Sequence, residues 1–159
     1  RVLCVNGKEM LRLGMPEEIF SGNTIEKLFG LDDGAYENQF GSVELKKSDN
    51  DPDILVIGGN GSGIEVYRRL QKKCRAFYAG LLYENDCDIL AAKALATDVV
   101  VQKAFTPVSE DNRNKMYKLL EKVDYVIDCG CEHGEYDKIN SDIISIAERN
   151  GKLVDVSSL

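Results

Sequence analysis

The chain has no run of about eighteen apolar residues, the length a bilayer-spanning helix needs, so no transmembrane segment is expected. It also lacks a basic start followed by an apolar stretch and a small-residue cleavage site, so no secretory signal is expected. It opens Arg1-Val2-Leu3-Cys4-Val5-Asn6-Gly7 without an initiating Met and reads as an excised piece of something longer. Its five cysteines, at 4, 74, 87, 129 and 131, are too few and too scattered for a secreted disulfide framework. A reducing cytosol suits them. Positive charge is short as well: 20 basic against 27 acidic groups give a net charge of −7. Nucleic-acid phosphates and anionic lipid would repel such a molecule, and no nucleic-acid partner is expected. The one basic cluster, Arg68, Arg69, Lys72, Lys73 and Arg75, falls on a predicted helix and its exit and reads as a solvated face. No internal repeat or low-complexity tract occurs.

What is present amounts to 159 residues, 43% apolar and 30% charged, enough to bury a core without disulfides. The polar stretch Lys46-Lys47-Ser48-Asp49-Asn50-Asp51-Pro52 divides the chain. Residues 1–47 form one part, 48–52 a linker and 53–159 the other. In the first part, Val2–Val5 and Met10–Leu13 flank Asn6-Gly7, a strong hairpin signal. Pro16 followed by Glu17 and Glu18 suits a helix start, where one N–H has no partner anyway and the dipole favours negative charge. Asn23 or Thr24 would cap a second short helix ending at Gly30, and Ser42-Val43-Glu44-Leu45 is a last extended piece. So small a segment cannot bury a core alone and wants another body to pack on.

After the linker, strand and helix alternate five times. The apolar runs Ile54–Ile57, Phe77–Leu82, Val99–Val101, Tyr125–Ile127 and Leu153-Val154-Val156 predict strands. Between them, Ile64, Tyr67, Leu70 and Cys74, then Ile89–Leu95, then Met116, Leu119, Leu120 and Val123, then Ile139, Ile143, Ile146 and Ala147 recur at helical spacing. This predicts an α/β chain: a Rossmann-like, five-stranded, mostly parallel sheet with helices on both faces, preceded by a small α+β tail of one hairpin and two short helices.

The turn Gly58-Gly59-Asn60-Gly61-Ser62-Gly63 sits between a buried strand and a helix, where backbone N–H groups can cradle an anion. The spacing from Gly59 is Gly-x-Gly-x-Gly, not the full dinucleotide fingerprint, and no P-loop Gly-Lys-Ser/Thr occurs. Two readings stay open, a tight turn only or a site for a nucleotide or other anionic ligand. Of the acids after the second predicted strand, Glu84, Asp86 and Asp88, Glu84 lies 26 residues after Gly58, near where such folds place a ribose-binding acid. Alternatively Asp86 or Asp88 merely caps the helix at Ile89. Cys129, Cys131 and His133 follow the fourth strand, with Cys87 in a neighbouring loop; together they have ligand chemistry for Zn²⁺, but Cys-x-Cys-x-His is not a common structural-zinc spacing. The expected reading is free thiols, with no metal. A Cys–His nucleophile pair lacks an orienting third group. Ser109, after Thr106-Pro107-Val108, is a predicted N-cap.

Residues 1 to about 45 resemble the end of an ABC-transporter ATP-binding subunit of the iron-siderophore, haem and cobalamin import class. The likeness is carried by Arg1 through Glu9, by Gly14-Met15-Pro16-Glu17-Glu18-Ile19 and by Ile25-Glu26-Lys27-Leu28-Phe29-Gly30. The second part resembles a carboxy-terminal extension of some of those subunits: Gly58 to Gly63, Ala79 to Leu82, Asp86 and Asp88, and Phe105 to Ser109. Asn60, which interrupts the glycine run, and the loop Cys129–Gly134 depart from that pattern. The resemblance implies that Walker A, the signature helix, the Walker B acid and the switch His belong upstream of Arg1, and His133 is not in the context of that switch. The fragment is therefore expected not to hydrolyse ATP, while its parent would use ATP and Mg²⁺.

The leading expectation is thus an accessory, ligand-sensing domain of an importer ATPase, located in the cytoplasm at the inner face of the membrane through the parent. Its partners would be the rest of the ATPase domain, the permease subunits and a possible second copy. The ligand would rest on the amides of Gly59 to Gly63, with Asp86 and the Cys129–His133 loop as the opposite wall. The alternatives are a dinucleotide-dependent oxidoreductase, favoured by Glu84, and a dimerisation or docking module without a ligand.

Overall fold

Ile54-Leu55-Val56-Ile57 is buried along its whole length, as an unbroken apolar run must be when both faces of its sheet are covered. The computed structural model describes residues 1–21, 23–30, 36–37, 42–43, 48–155 and 157. The chain forms two units, Arg1–Lys46 and Lys47–Leu159.

In the first unit, β1 (Val2–Asn6) and β2 (Glu9–Gly14) form an antiparallel hairpin. Asn6 pairs with Glu9, so the two-residue turn is Gly7-Lys8, one position later than the Asn-Gly signal suggests. The helices α1 (Pro16–Phe20) and α2 (Thr24–Phe29) follow. Glu18 accepts a hydrogen bond from the Met15 amide at 2.9 Å, and Gly30 ends α2 in the left-handed region at φ 65°. Cys4, Ile19 and Ile25 make a small core beneath one hairpin face. On the other face the cross-strand pairs Leu3–Leu13 and Val5–Met10 are exposed. Two short strands, β3 (Tyr36–Glu37) and β4 (Ser42–Val43), pair antiparallel; Glu44 and Leu45 lie outside the described residues.

The second unit is the predicted Rossmann-like α/β layer structure. Its order is β5 (Ile54–Ile57), α3 (Gly63–Lys72), β6 (Phe77–Tyr83), α4 (Ile89–Leu95), β7 (Asp98–Gln102), α5 (Glu110–Lys122), β8 (Tyr125–Asp128) and α6 (Lys138–Arg149). The four strands are all parallel, in the spatial order β7-β6-β5-β8. Leu55, Ile57, Tyr78, Leu81, Val100 and Val126 face α5 and α6 in one apolar cluster. Ile54, Val56, Phe77, Ala79, Leu82 and Ile127 face α3 and α4 in the other. Each large side chain so buried contributes about 1.5–3 kcal/mol.

The parity changes within β6, where Tyr78 and Leu81 share a face. The cause is a bulge at Gly80, where the register against β7 slips between Ala79 and Leu81. A Cβ at Gly80 would lie 2.6 Å from Ile57 Cδ1, so the close approach requires glycine.

The expected fifth strand is not formed as such. It shrinks to one parallel bridge, Val126 to Leu153, supported by hydrogen bonds from Val126 N to Lys152 O and from Val154 N to Val126 O. Only two apolar residues, Leu153 and Val154, precede Asp155, whose carboxylate accepts the Ser157 amide at 2.7 Å; Val156 lies outside the described residues. Of the predicted linker, Ser48 Oγ and Asn50 Nδ2 donate to the carbonyl of Cys74 at 3.0 and 3.1 Å, tying its described part to the exit of α3. Among the described residues, no helix is long and apolar enough to cross a membrane.

Candidate ligand-binding cleft

In a parallel sheet of this order, ligands sit beyond the carboxyl ends of the strands. There the loops after β5, β6, β7 and β8 surround a cleft of about 350 Å³ lined by Asn60, Tyr83, Asn85, Asp86, Phe105 and Tyr136. The volume falls in the range of small-molecule sites.

The glycine turn is closely packed rather than open. A Cβ at Gly58 would stand 2.9 Å from the Gly63 Cα and 3.0 Å from Asp88 Oδ2. Asn60, the residue that interrupts the glycine run, adopts φ 54°, which Asn tolerates better than most side chains. Its side-chain amide donates to Cys131 Sγ at 3.4 Å, and that sulfur would also lie 3.3 Å from a Cβ at Gly59. Cys131 thus lies against the glycine turn.

The amides of the turn already have partners. Gly63 N donates to Asp88 Oδ2 at 2.9 Å, and Ser62 N to the carbonyl of Gly59 at 3.0 Å. Asn60 N meets both oxygens of Asp86 at 3.2 Å, and Asp88 N donates to Asp86 Oδ1 at 2.8 Å. Asp88 stands at the N-cap of α4 but makes no side-chain cap bond there and caps α3 across the turn instead; of the two capping candidates it is Asp86 that holds the chain before α4, through the Asp88 amide. The Asp88 carboxyl is fully buried, and burial raises its pKa, against the pull of the Gly63 amide. Its Oδ1, the Tyr67 hydroxyl and Ser62 Oγ are buried without hydrogen-bond partners among the described residues. Burial, then the nearby Asp88, also pushes the Tyr67 hydroxyl well up.

The other predicted residues separate. Gly61, at φ 92°, has open space beside its Cα, while Glu84 is exposed, its amide bonded to the Gln102 carbonyl. Asp86 lines the cleft. The loop after β8 contributes Tyr136 to the lining rather than the Cys129–His133 stretch. Cys129 packs against the core cluster on the α3–α4 side, and burial pushes its thiol up to about 12. Burial raises the Cys131 thiol too, opposed by the Asn60 contact. His133 turns its Nδ1 to Asp137 Oδ2 at 2.7 Å, while Gly134 N donates to the other Asp137 oxygen. Cys87 is exposed. Among the described residues, no three His, Cys, Asp or Glu side chains are grouped to hold a metal ion.

The sequence reading missed the aromatic lining and what holds it. Phe105 is 91% exposed and sits at φ 59°, a conformation that costs a bulky side chain about 1–2 kcal/mol. Its loop is pinned by buried Gln102, whose Nε2 donates to Thr106 Oγ1 (2.8 Å) and to the Pro107 carbonyl, while Oε1 accepts from Ser109 N and Asn112 Nδ2. Ser109 caps α5 as predicted, accepting the Asn112 amide at 3.2 Å. The Tyr83 hydroxyl reaches the carbonyls of Thr106 and Tyr136 at 3.2 and 3.0 Å, joining the loops that carry two of the lining rings. These bonds hold Phe105 in its strained conformation beside the cleft. The signal in the sequence was Phe105 itself, a large apolar residue in a polar loop before a helix cap.

No curated protein matches the chain. A family model does: it begins at the first residue of β6, runs through the loops that carry Tyr83, Asn85, Asp86, Phe105 and Tyr136, and leaves the glycine turn outside. That model, the MJ0874 family, matches residues 77–157, just over half of the chain, and the protein belongs to this family.

Proposed function

We propose that residues 53–159 are a ligand-sensing domain whose cleft binds a small ring-bearing molecule, and that it regulates the ATP-binding subunit of an importer of iron-siderophore, haem or cobalamin. The observation that carries the binding role is the cleft itself: loops from all four strands meet there, Asp86 offers a carboxylate, and Phe105 is held exposed in a strained conformation beside it. An aromatic ring of the ligand would stack on Phe105 or Tyr136, and hydroxyl groups would donate to Asp86. The link to an importer rests on the resemblance of residues 1–45 to the end of its ATPase. The exposed pairs Leu3–Leu13 and Val5–Met10 support it, because a two-stranded hairpin with one bare apolar face needs a body to cover that face. In this reading the covering body is the rest of the ATPase domain, the parent binds ATP and Mg²⁺, and the permease places the assembly at the membrane. Occupancy of the cleft regulates only if the ligand binds one packing of the domain better than the other.

Isothermal titration of the chain with nucleosides, nucleotides, dinucleotides and cobamides tests the binding role. Saturable heat that Asp86→Ala and Tyr136→Ala both abolish supports it. Silence from every compound would leave a docking module.

A further inference from the structure

The turn between β5 and α3 has the form of a phosphate cradle, yet its seat is taken. Gly63 N, at the start of a ten-residue helix, donates to Asp88 Oδ2, and Asn60 N is held by both oxygens of Asp86. Asp88 is completely buried, so its carboxyl group is not a passing surface contact. The Tyr67 hydroxyl and Asp88 Oδ2 lie 2.6 and 2.8 Å from the place a Cβ on Gly63 would take, so these two side chains fill the space beside the Gly63 Cα. A phosphate approaching from the cleft would also meet Asp86 before reaching any amide.

We propose that the cleft takes a nucleoside-class ligand without a phosphate, and that Asp88, a built-in occupant of the helix start, enforces that choice. The inference rests on the cleft being a ligand site and adds the ligand's chemical class. Two carboxylates at the turn repel a phosphate ester by like charge, and Asp88 fills the position in which N–H groups would compensate it. A ribose, by contrast, brings hydroxyl donors to Asp86, whose oxygens line the cleft, and a base brings a flat face to Phe105 and Tyr136. The dinucleotide reading weakens for the same reason, since a pyrophosphate has no seat.

The test uses the whole chain, ¹⁵N-labelled, with inorganic phosphate and with paired ribonucleosides and their 5′-monophosphates as probes. In the wild type, millimolar phosphate should leave the Gly61, Ser62 and Gly63 amide signals unmoved. A nucleoside should bind more tightly than its monophosphate by about tenfold or more. Asp88→Ala should show a saturable shift at Gly63 with phosphate and narrow that ratio. Asp88→Asn keeps an oxygen on Gly63, so phosphate should leave the Gly63 signal unmoved, while the loss of one carboxylate should narrow the nucleoside-to-monophosphate ratio less than Asp88→Ala does. A saturable phosphate shift at Gly63 in the wild type, or equal affinity for the monophosphate, overturns the proposal even if Asp88→Ala does not fold. So does a folded Asp88→Ala that ignores phosphate. Absence of all nucleoside binding, with the phosphate result as expected, would instead sink the binding role of the cleft and leave Asp88 as the plug of the turn.

Discussion

Asn140, at the start of α6, donates its side-chain amide to the main-chain carbonyl of Leu81 at 3.0 Å, fully buried between helix and sheet. Register pairing of β6 with β5 ends at Ala79 and the bulge follows, so the carbonyl of Leu81 looks to a helix for its partner. Asn140→Ala strands that carbonyl and should cost about 1–3 kcal/mol in urea unfolding. Asn140→Asp, which sets a carboxylate against the carbonyl, should cost more. Equal stability of wild type and Asn140→Ala would refute the assignment.

Phe105 should show the opposite sign. Glycine accepts φ 59° without strain, and the exposed ring contributes little burial, so Phe105→Gly should stabilise the fold by about 0.5–1 kcal/mol. The same change should weaken any ring-bearing ligand by about 1–3 kcal/mol, the worth of one stacked base. Melting temperature and titration calorimetry on one sample read both effects. A loss of stability without a loss of affinity would make Phe105 structural.

Asp88 predicts a pH dependence. Burial raises its carboxyl above the ordinary value near 3.9. An acid raised in the folded state contributes its full share to stability below the unfolded pKa and loses it as pH climbs through the folded one. Asp88→Asn copies the protonated form, so its stability relative to the wild type should rise between about pH 4 and neutrality. A flat or falling difference in denaturant midpoints would show that the Gly63 amide outweighs the burial.

The thiols should separate by reactivity. With its pKa near 12, Cys129 is about one part in ten thousand thiolate at pH 8, while Cys74 and Cys87 are exposed. Iodoacetamide followed by mass spectrometry should label Cys74 and Cys87 first and leave Cys129 unmodified until the protein unfolds. Early loss of the Cys129 thiol would contradict its placement.

The layered sheet was legible because apolar runs such as Ile54–Ile57 and the helical spacing of Met116, Leu119 and Leu120 are local signals. The shortened fifth strand was not, because one bridge and a full strand share the same apolar pair, Leu153-Val154. The site was half legible. Asp86 and Asn60 were named from their places beyond strand ends, but the cap of the next helix was left between Asp86 and Asp88, whereas the partner of Asp88, Gly63, stands 25 residues away. Side-chain bonds across loops leave no periodic trace. For the same reason, nothing in the order of residues pointed to Gln102 as the anchor of the Phe105 loop.

The helix that starts at the cleft also ends at the tether. Its first amide is clasped by Asp88, and the carbonyl of Cys74 just past its last turn is clasped by Ser48 and Asn50. Between these two grips lies a rigid rod about 15 Å long. A tilt of that rod would therefore move its Gly63 end and its Ser48–Asn50 end together, with no relay of side chains between them.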